Sequence, residues 1–141
     1  MKIRLFLISL ILLALSNLCL GQGKILSKTD ADNLFGKVIS SQGISTQVLN
    51  QYLSNSQKTL LFSIINGQLL IADTNRKLLT QTSQILPSKH IMHIFSKIIL
   101  KELLNKGSSG QIVIEQRANV LTITYDEFTL EFSSLCPPNC L

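Results

Sequence analysis

Residues 59–73 read Thr-Leu-Leu-Phe-Ser-Ile-Ile-Asn-Gly-Gln-Leu-Leu-Ile-Ala-Asp, and this stretch decides the fold class. Two apolar, strand-forming runs, Thr59 to Ile65 and Gln68 to Asp73, flank Asn66-Gly67. A two-residue Asn-Gly loop suits a type I′ turn, because both central residues must take positive φ. The turn sets the register, so Ile64 faces Leu69 and Phe62 faces Ile71. Leu60, Phe62, Ile64, Leu69 and Ile71 then share one side, and Leu61, Ile65, Leu70 and Ala72 line the other. A hairpin apolar on both faces is expected inside a covered sheet.

Downstream, Asp73 to Arg76 is a turn, and Lys77 to Ser83 reads as a weaker strand or a loop. Pro87-Ser88 is placed to open a long helix from Lys89 to Lys106, with Gly107 as its stop. Ile91, Met92, Ile94, Phe95, Ile98, Ile99 and Leu103 give it an apolar face, and His90, His93, Lys97 and Lys101 align opposite. Three strands follow, Gln111 to Gln116, Val120 to Tyr125 and Phe128 to Ser133, turning at Arg117-Ala118-Asn119 and at Asp126-Glu127. Phe128, Leu130 and Phe132 face inward, and Thr129, Glu131 and Ser133 face out, as in a meander with one solvated face.

Upstream, residues 22–28 form a polar lead. Thr29 or Asp30 is placed to cap a first helix of about ten residues, whose buried face would hold Leu34, Phe35, Val38 and Ile39. Asp30 and Asp32 fall in its first turn, where the helix dipole favours negative charge. Ser40-Ser41-Gln42-Gly43 breaks the run. Ser45 caps a second helix reaching to about Ser54, with Ile44 and Leu49 at the spacing of a hydrophobic staple. No internal repeat stands out. The chain is expected to be one α+β domain, an antiparallel sheet of about five strands with helices packed mainly on one face. Its sheet would join the hairpin to the three-strand meander. In element order alone it is similar to the profilin-like and roadblock-like folds.

The first 21 residues have the layout of a secretory signal peptide. Lys2 and Arg4 start it, Leu5 to Leu15 run apolar apart from Ser9, and small residues precede a cut after Gly21. The apolar run is shorter than the roughly 20 residues a spanning helix needs. An uncleaved anchor, or acylation of Cys19, are the alternatives. The domain would then occupy residues 22–141 of an exported chain, periplasmic or extracellular. Without Lys2 and Arg4 the 13 basic residues become 11, against 8 acidic, for a net charge of +3. The lysines are scattered and form no dense run with aromatics, so neither nucleic acid nor a further membrane span is expected.

Cys136 and Cys140 are the cysteines left after cleavage, and an even count in an exported chain reads first as a disulfide. So short a loop contributes roughly 2 kcal/mol by chain entropy. Cys-x-x-x-Cys resembles, in spacing alone, the copper-holding pair of thioredoxin-fold copper-delivery proteins. Soft thiolates suit Cu(I) or zinc. His90 and His93, at i and i+3, would complete a ligand set only if the C-terminus folded back over them. No metal or cofactor is the primary expectation.

Catalytic arrangements are hard to assemble. Both histidines share one helix face in this reading, and no serine sits in a nucleophile-elbow context. Asp126 and Glu127 occupy a turn, where acids are common. Gly67 is a turn glycine, and no phosphate-binding loop is present. The expected function is a non-catalytic binding or assembly module that contacts another envelope or extracellular protein. The alternative is a periplasmic metal-holding or thiol-redox protein using Cys136 and Cys140.

Overall fold

The computed structural model describes residues 23–80, 85–131 and the backbone of 135–136. The expected signal segment, Phe132, Ser133 and Cys140 lie outside the described residues. The chain runs β1 (Lys24–Ser27), α1 (Lys28–Phe35), β2 (Ser40–Ser45), α2 (Thr46–Asn55), β3 (Thr59–Ile65) and β4 (Gln68–Asp73). It continues β5 (Met92–Ser96), α3 (Lys97–Leu104), β6 (Gln111–Gln116), β7 (Leu121–Tyr125), β8 (Phe128–Glu131) and β9 (Leu135–Cys136).

The fold is α+β and antiparallel, but the hairpin and the meander belong to separate sheets. One sheet has the order β1-β8-β7-β6-β2 and the other β4-β3-β5-β9. The likeness to profilin-like and roadblock-like element order therefore lapses. The sequence misses β1 and β2. Ser40-Ser41-Gln42-Gly43 is a strand and not a breaker, because its backbone pairs residue by residue with β6 from Ser40↔Gln116 to Ser45↔Gln111. The polar lead likewise forms β1, paired with β8.

The hairpin has the expected register, Ile64↔Leu69 and Phe62↔Ile71. Asn66 and Gly67 take φ of 51° and 75°, as the turn requires. Leu60, Phe62 and Ile71 on one side and Leu61 and Ala72 on the other are all buried. β4 is nonetheless terminal in its sheet. The segment after it runs along that edge, with Leu79 N donating to Ile71 O at 2.8 Å and an Ala72↔Leu78 bridge. Of the segment Lys77 to Ser83, residues 77–80 are thus an edge cover held by single bridges, and 81–83 lie outside the described residues.

The long helix expected from Lys89 to Lys106 is half strand. Residues Met92–Ser96 form β5, and helix α3 begins only at Lys97. A short apolar run such as Ile91 to Phe95 satisfies helical and strand patterns equally. Pairing with β3 decides it: Phe62↔His93 and Leu60↔Phe95 lie across the ladder, and the Phe62 and Phe95 rings meet edge to face at 5.4 Å. Helix α1 starts at Lys28, capped by Ser27 rather than Thr29 or Asp30.

A single apolar cluster joins both sheets. It takes Leu49 and Leu53 from α2, Ile99, Leu100 and Leu103 from α3, and Ile112, Ile114, Ile123 and Leu130 from the first sheet. Each such side chain adds about 1.5–3 kcal/mol of transfer free energy when buried. The opposite face of the first sheet is not the solvated one expected: Thr122, Thr124 and Thr129 are buried there. Helix α1 lies over this face and buries Ala31.

Candidate functional site

Helix α1 ends at Phe35, where Gly36 takes φ of 77° and donates its N–H to Asp32 O. Glycine enters that left-handed region without a Cβ penalty, so the helix stops there. The chain then turns into β2 through Lys37, Val38 and Ile39. Ile39 N donates to Gln116 O at 2.8 Å, which fixes the entry to the strand.

Arg117 pins this corner from below. Its side chain is fully buried. Nη1 donates to Asp32 at 2.8 Å and to Gly36 O, Nη2 to Glu115 at 2.9 Å, and Nε to the Thr122 hydroxyl at 3.2 Å. The Glu115 carboxylate also accepts from the Thr124 hydroxyl at 2.9 Å, and Thr124 and Thr129 hydroxyls meet at 2.9 Å. The buried charges thus carry partners on several sides, as burial demands. Asp32 is therefore more than first-turn chemistry: it clamps α1 to the sheet. Asp30 does the expected work, its N–H donating to Ser27 Oγ at 3.1 Å and its carboxylate accepting from that hydroxyl.

The pinned corner displays apolar side chains to solvent. Leu34 is 66% exposed, Ile39 69% and Val38 38%. The sequence places all three on a buried helix face; instead Leu34 lies on the exposed side of α1, and the early stop at Gly36 leaves Val38 and Ile39 outside the helix. Beside them lies β2, terminal in its sheet, with no charged residue and no proline. Edge strands are usually protected by such residues. Corner and edge adjoin along the chain and together make the candidate binding surface. Gly36 followed by Lys37 was the signal available in the sequence. Arg117, read as a turn residue, carried one faint signal: Glu115 and Arg117 fall on the same face of a strand.

The histidines do not sit on an exposed helix face. His93 is a strand residue opposite Phe62, and burial lowers its pKa from the ordinary 6.5. His90 lies in the chain entering β5, its Nδ1 buried and without a hydrogen-bond partner. The β5–β9 pairing places Cys136 opposite Met92 and Leu135 opposite His93. Cys140 lies outside the described residues, so its pairing with Cys136 does too. Among the described residues, no group of three or more His, Cys, Asp or Glu side chains is arranged to hold a metal ion.

Asp126 and Glu127 do form a turn between β7 and β8. Asp126 is at φ of 53° and accepts from Ser108 N at 2.7 Å and Ser109 N at 3.3 Å. Hydrogen bonds from Ser109 and Ser108 hold its carboxyl below the ordinary value of 3.8. Its geometry fastens the loop after α3. Among the described residues no helix is long and apolar enough to cross a membrane.

No protein-family model, no curated protein and no solved structure matches the chain.

Proposed function

We propose that the protein is an exported, non-catalytic binding or assembly module that acts through contact with another protein of the cell envelope. The observation that supports this reading most is the corner at residues 34–39. Leu34, Val38 and Ile39 stay exposed on backbone that Arg117 and Gln116 hold in place. Preorganised apolar side chains lose little entropy on docking. The test is a pull-down from the envelope fraction with the parent and with Leu34→Asp/Ile39→Asp. Both side chains are exposed, so melting temperature should hold while a specifically captured protein is lost. Capture that ignores the double change, or that finds no specific partner, overturns the proposal. In this reading the segment before Gln22 is removed on export and Cys136 with Cys140 forms a terminal clip. Intact mass and thiol titration of the exported protein check both.

Two observations favour a second reading. Strand pairing brings Cys136 alongside the His90–His93 segment, and His90 Nδ1 is buried without a partner. In that reading Cys136 and Cys140, with His90 or His93, hold a soft metal ion. Stoichiometric Cu(I) or zinc in protein purified without added metal, weakened by His90→Ala, would move it to first place.

A further inference from the structure

Three helices start in the same way. Ser27, Ser45 and Ser96 are each the last residue of a strand and the N-cap of the helix that follows, with no loop between. Each hydroxyl accepts from the backbone N–H three residues on: Asp30, Val48 and Ile99. Each serine also pairs with the first residue of another strand: Ser27↔Phe128, Ser45↔Gln111 and Ser96↔Thr59. The residue after each serine donates its N–H to the carbonyl just before that partner strand: Lys28 to Glu127 at 2.9 Å, Thr46 to Gly110 at 3.0 Å and Lys97 to Lys58 at 2.8 Å. This is one junction built three times.

Two of the junctions define two like units. Strand β2, helix α2 and hairpin β3–β4 form the first; strand β5, helix α3 and hairpin β6–β7 form the second. The leading strand of each unit pairs with the first hairpin strand of the other: β2 with β6, and β5 with β3. The units are reciprocally intertwined: exchanging one for the other leaves this pairing pattern unchanged. The β1–β8 ladder crosses in the same sense. Each ladder between the two halves of the chain therefore joins a strand before residue 87 to a strand after residue 91. None depends on the two halves being the same molecule. Among the described residues only the passage 87–91 does, tethered to the first half where Arg76 donates to Pro87 O at 2.7 Å and to His90 O at 2.6 Å.

We propose that the chain forms a dimer with a second copy of itself by exchanging halves. Residues 92–136 of each copy would dock on residues 24–86 of the other and restore the three crossing ladders. The exchanged form keeps these ladders and, among the described residues, gives up the contacts of the passage. The closed monomer is favoured by the millimolar effective concentration of its own second half. Exchange is thus expected when chains fold at high concentration, and the product persists on dilution because release requires opening all three ladders. Shortening the passage strains the closed form, and short strained hinges favour swapped dimers.

The test refolds the exported chain from denaturant over a hundredfold range of concentration, followed by size exclusion with light scattering. A companion variant lacks Ser88 and Lys89. Both are also made with Lys24→Cys and Glu131→Cys, facing residues of the β1–β8 ladder, and with Cys136→Ser and Cys140→Ser. The expected result is a dimer fraction that rises with refolding concentration, rises further for the shortened passage, survives dilution, and runs as a covalent dimer on a non-reducing denaturing gel. Monomer at every concentration overturns the proposal, as does a dimer whose engineered bridges lie within single chains. If the shortened variant fails to fold, the parent series alone decides.

Discussion

At the scale of single residues, Arg117 has the largest expected effect. It is the buried cation that answers Glu115 and clamps Asp32 and Gly36. Removing one partner of a buried pair leaves the other charge uncompensated, at a cost of about 3–5 kcal/mol. Arg117→Met should destabilise by that order in urea melts, and adding Glu115→Gln should recover part of the loss. A loss under about 1 kcal/mol would mean the cluster is solvated in solution. Gly67 is the second such position, since a side chain at φ of 75° is strained whatever space is open around it. Gly67→Val should cost well over ~1 kcal/mol, read as a lower melting midpoint.

His93 sets a pH dependence with a definite sign. Burial depresses its folded pKa below the ordinary 6.5, so the unfolded chain binds more protons in the window beneath that value. Stability should therefore fall as pH drops through 6.5 toward the folded pKa and be flat for this group above it. Glu131 works in the opposite sense at lower pH, its pKa raised above 4.5 by burial. Urea midpoints of the parent and of His93→Gln, measured from pH 8 to pH 5.5, check this. The variant should lose most of the slope just below pH 6.5, and an unchanged slope would assign it to other groups.

At the scale of elements, the strand–serine–helix junctions carry the prediction. A helix of eight residues such as α1 or α3 has no independent stability and leans on its cap and its docking. Each of Ser27→Ala, Ser45→Ala and Ser96→Ala should cost about 0.5–2 kcal/mol. Ser96→Ala should cost most, because α3 buries Ile99, Leu100 and Leu103, whereas α1 buries only Ala31. Equal losses at all three sites would show that capping, and not the burial it organises, sets the effect. The second helix was legible because Ser45 stands between an apolar staple residue and an apolar face. The first and third caps were masked. Ser27 follows a run too short to look like a strand, and Ser96 interrupts what reads as continuous helical spacing.

At the scale of the whole molecule, the intertwined halves make a prediction that needs no exchange. A protease site placed between Thr80 and Ile85 of the folded chain, once cut, should leave two fragments that co-elute and part only in denaturant. The three crossing ladders hold them. Fragments that separate in native buffer would show that the connection, not the ladders, keeps the halves together.

The sequence by itself determined what depends on near neighbours. The hairpin and its register follow from Asn66-Gly67 and two apolar runs, the meander from alternation and turn residues, and the second helix from its cap. The α+β class follows from these elements together. Tertiary structure decided whatever needs a distant partner. The uncharged, serine-rich β2 becomes a strand only because β6 offers a ladder, and Met92 to Ser96 leaves the helical option only because β3 does. Likewise, the hairpin and meander lie in different sheets because β5 pairs along the free edge of β3 and β2 along that of β6. The candidate surface follows the same division. Leu34, Val38 and Ile39 are apolar in any reading, but Arg117, about eighty residues away in sequence, holds the corner that exposes them. Local propensities are worth tenths of a kcal/mol per residue, and burial with pairing is worth several, so long-range contacts overrule them.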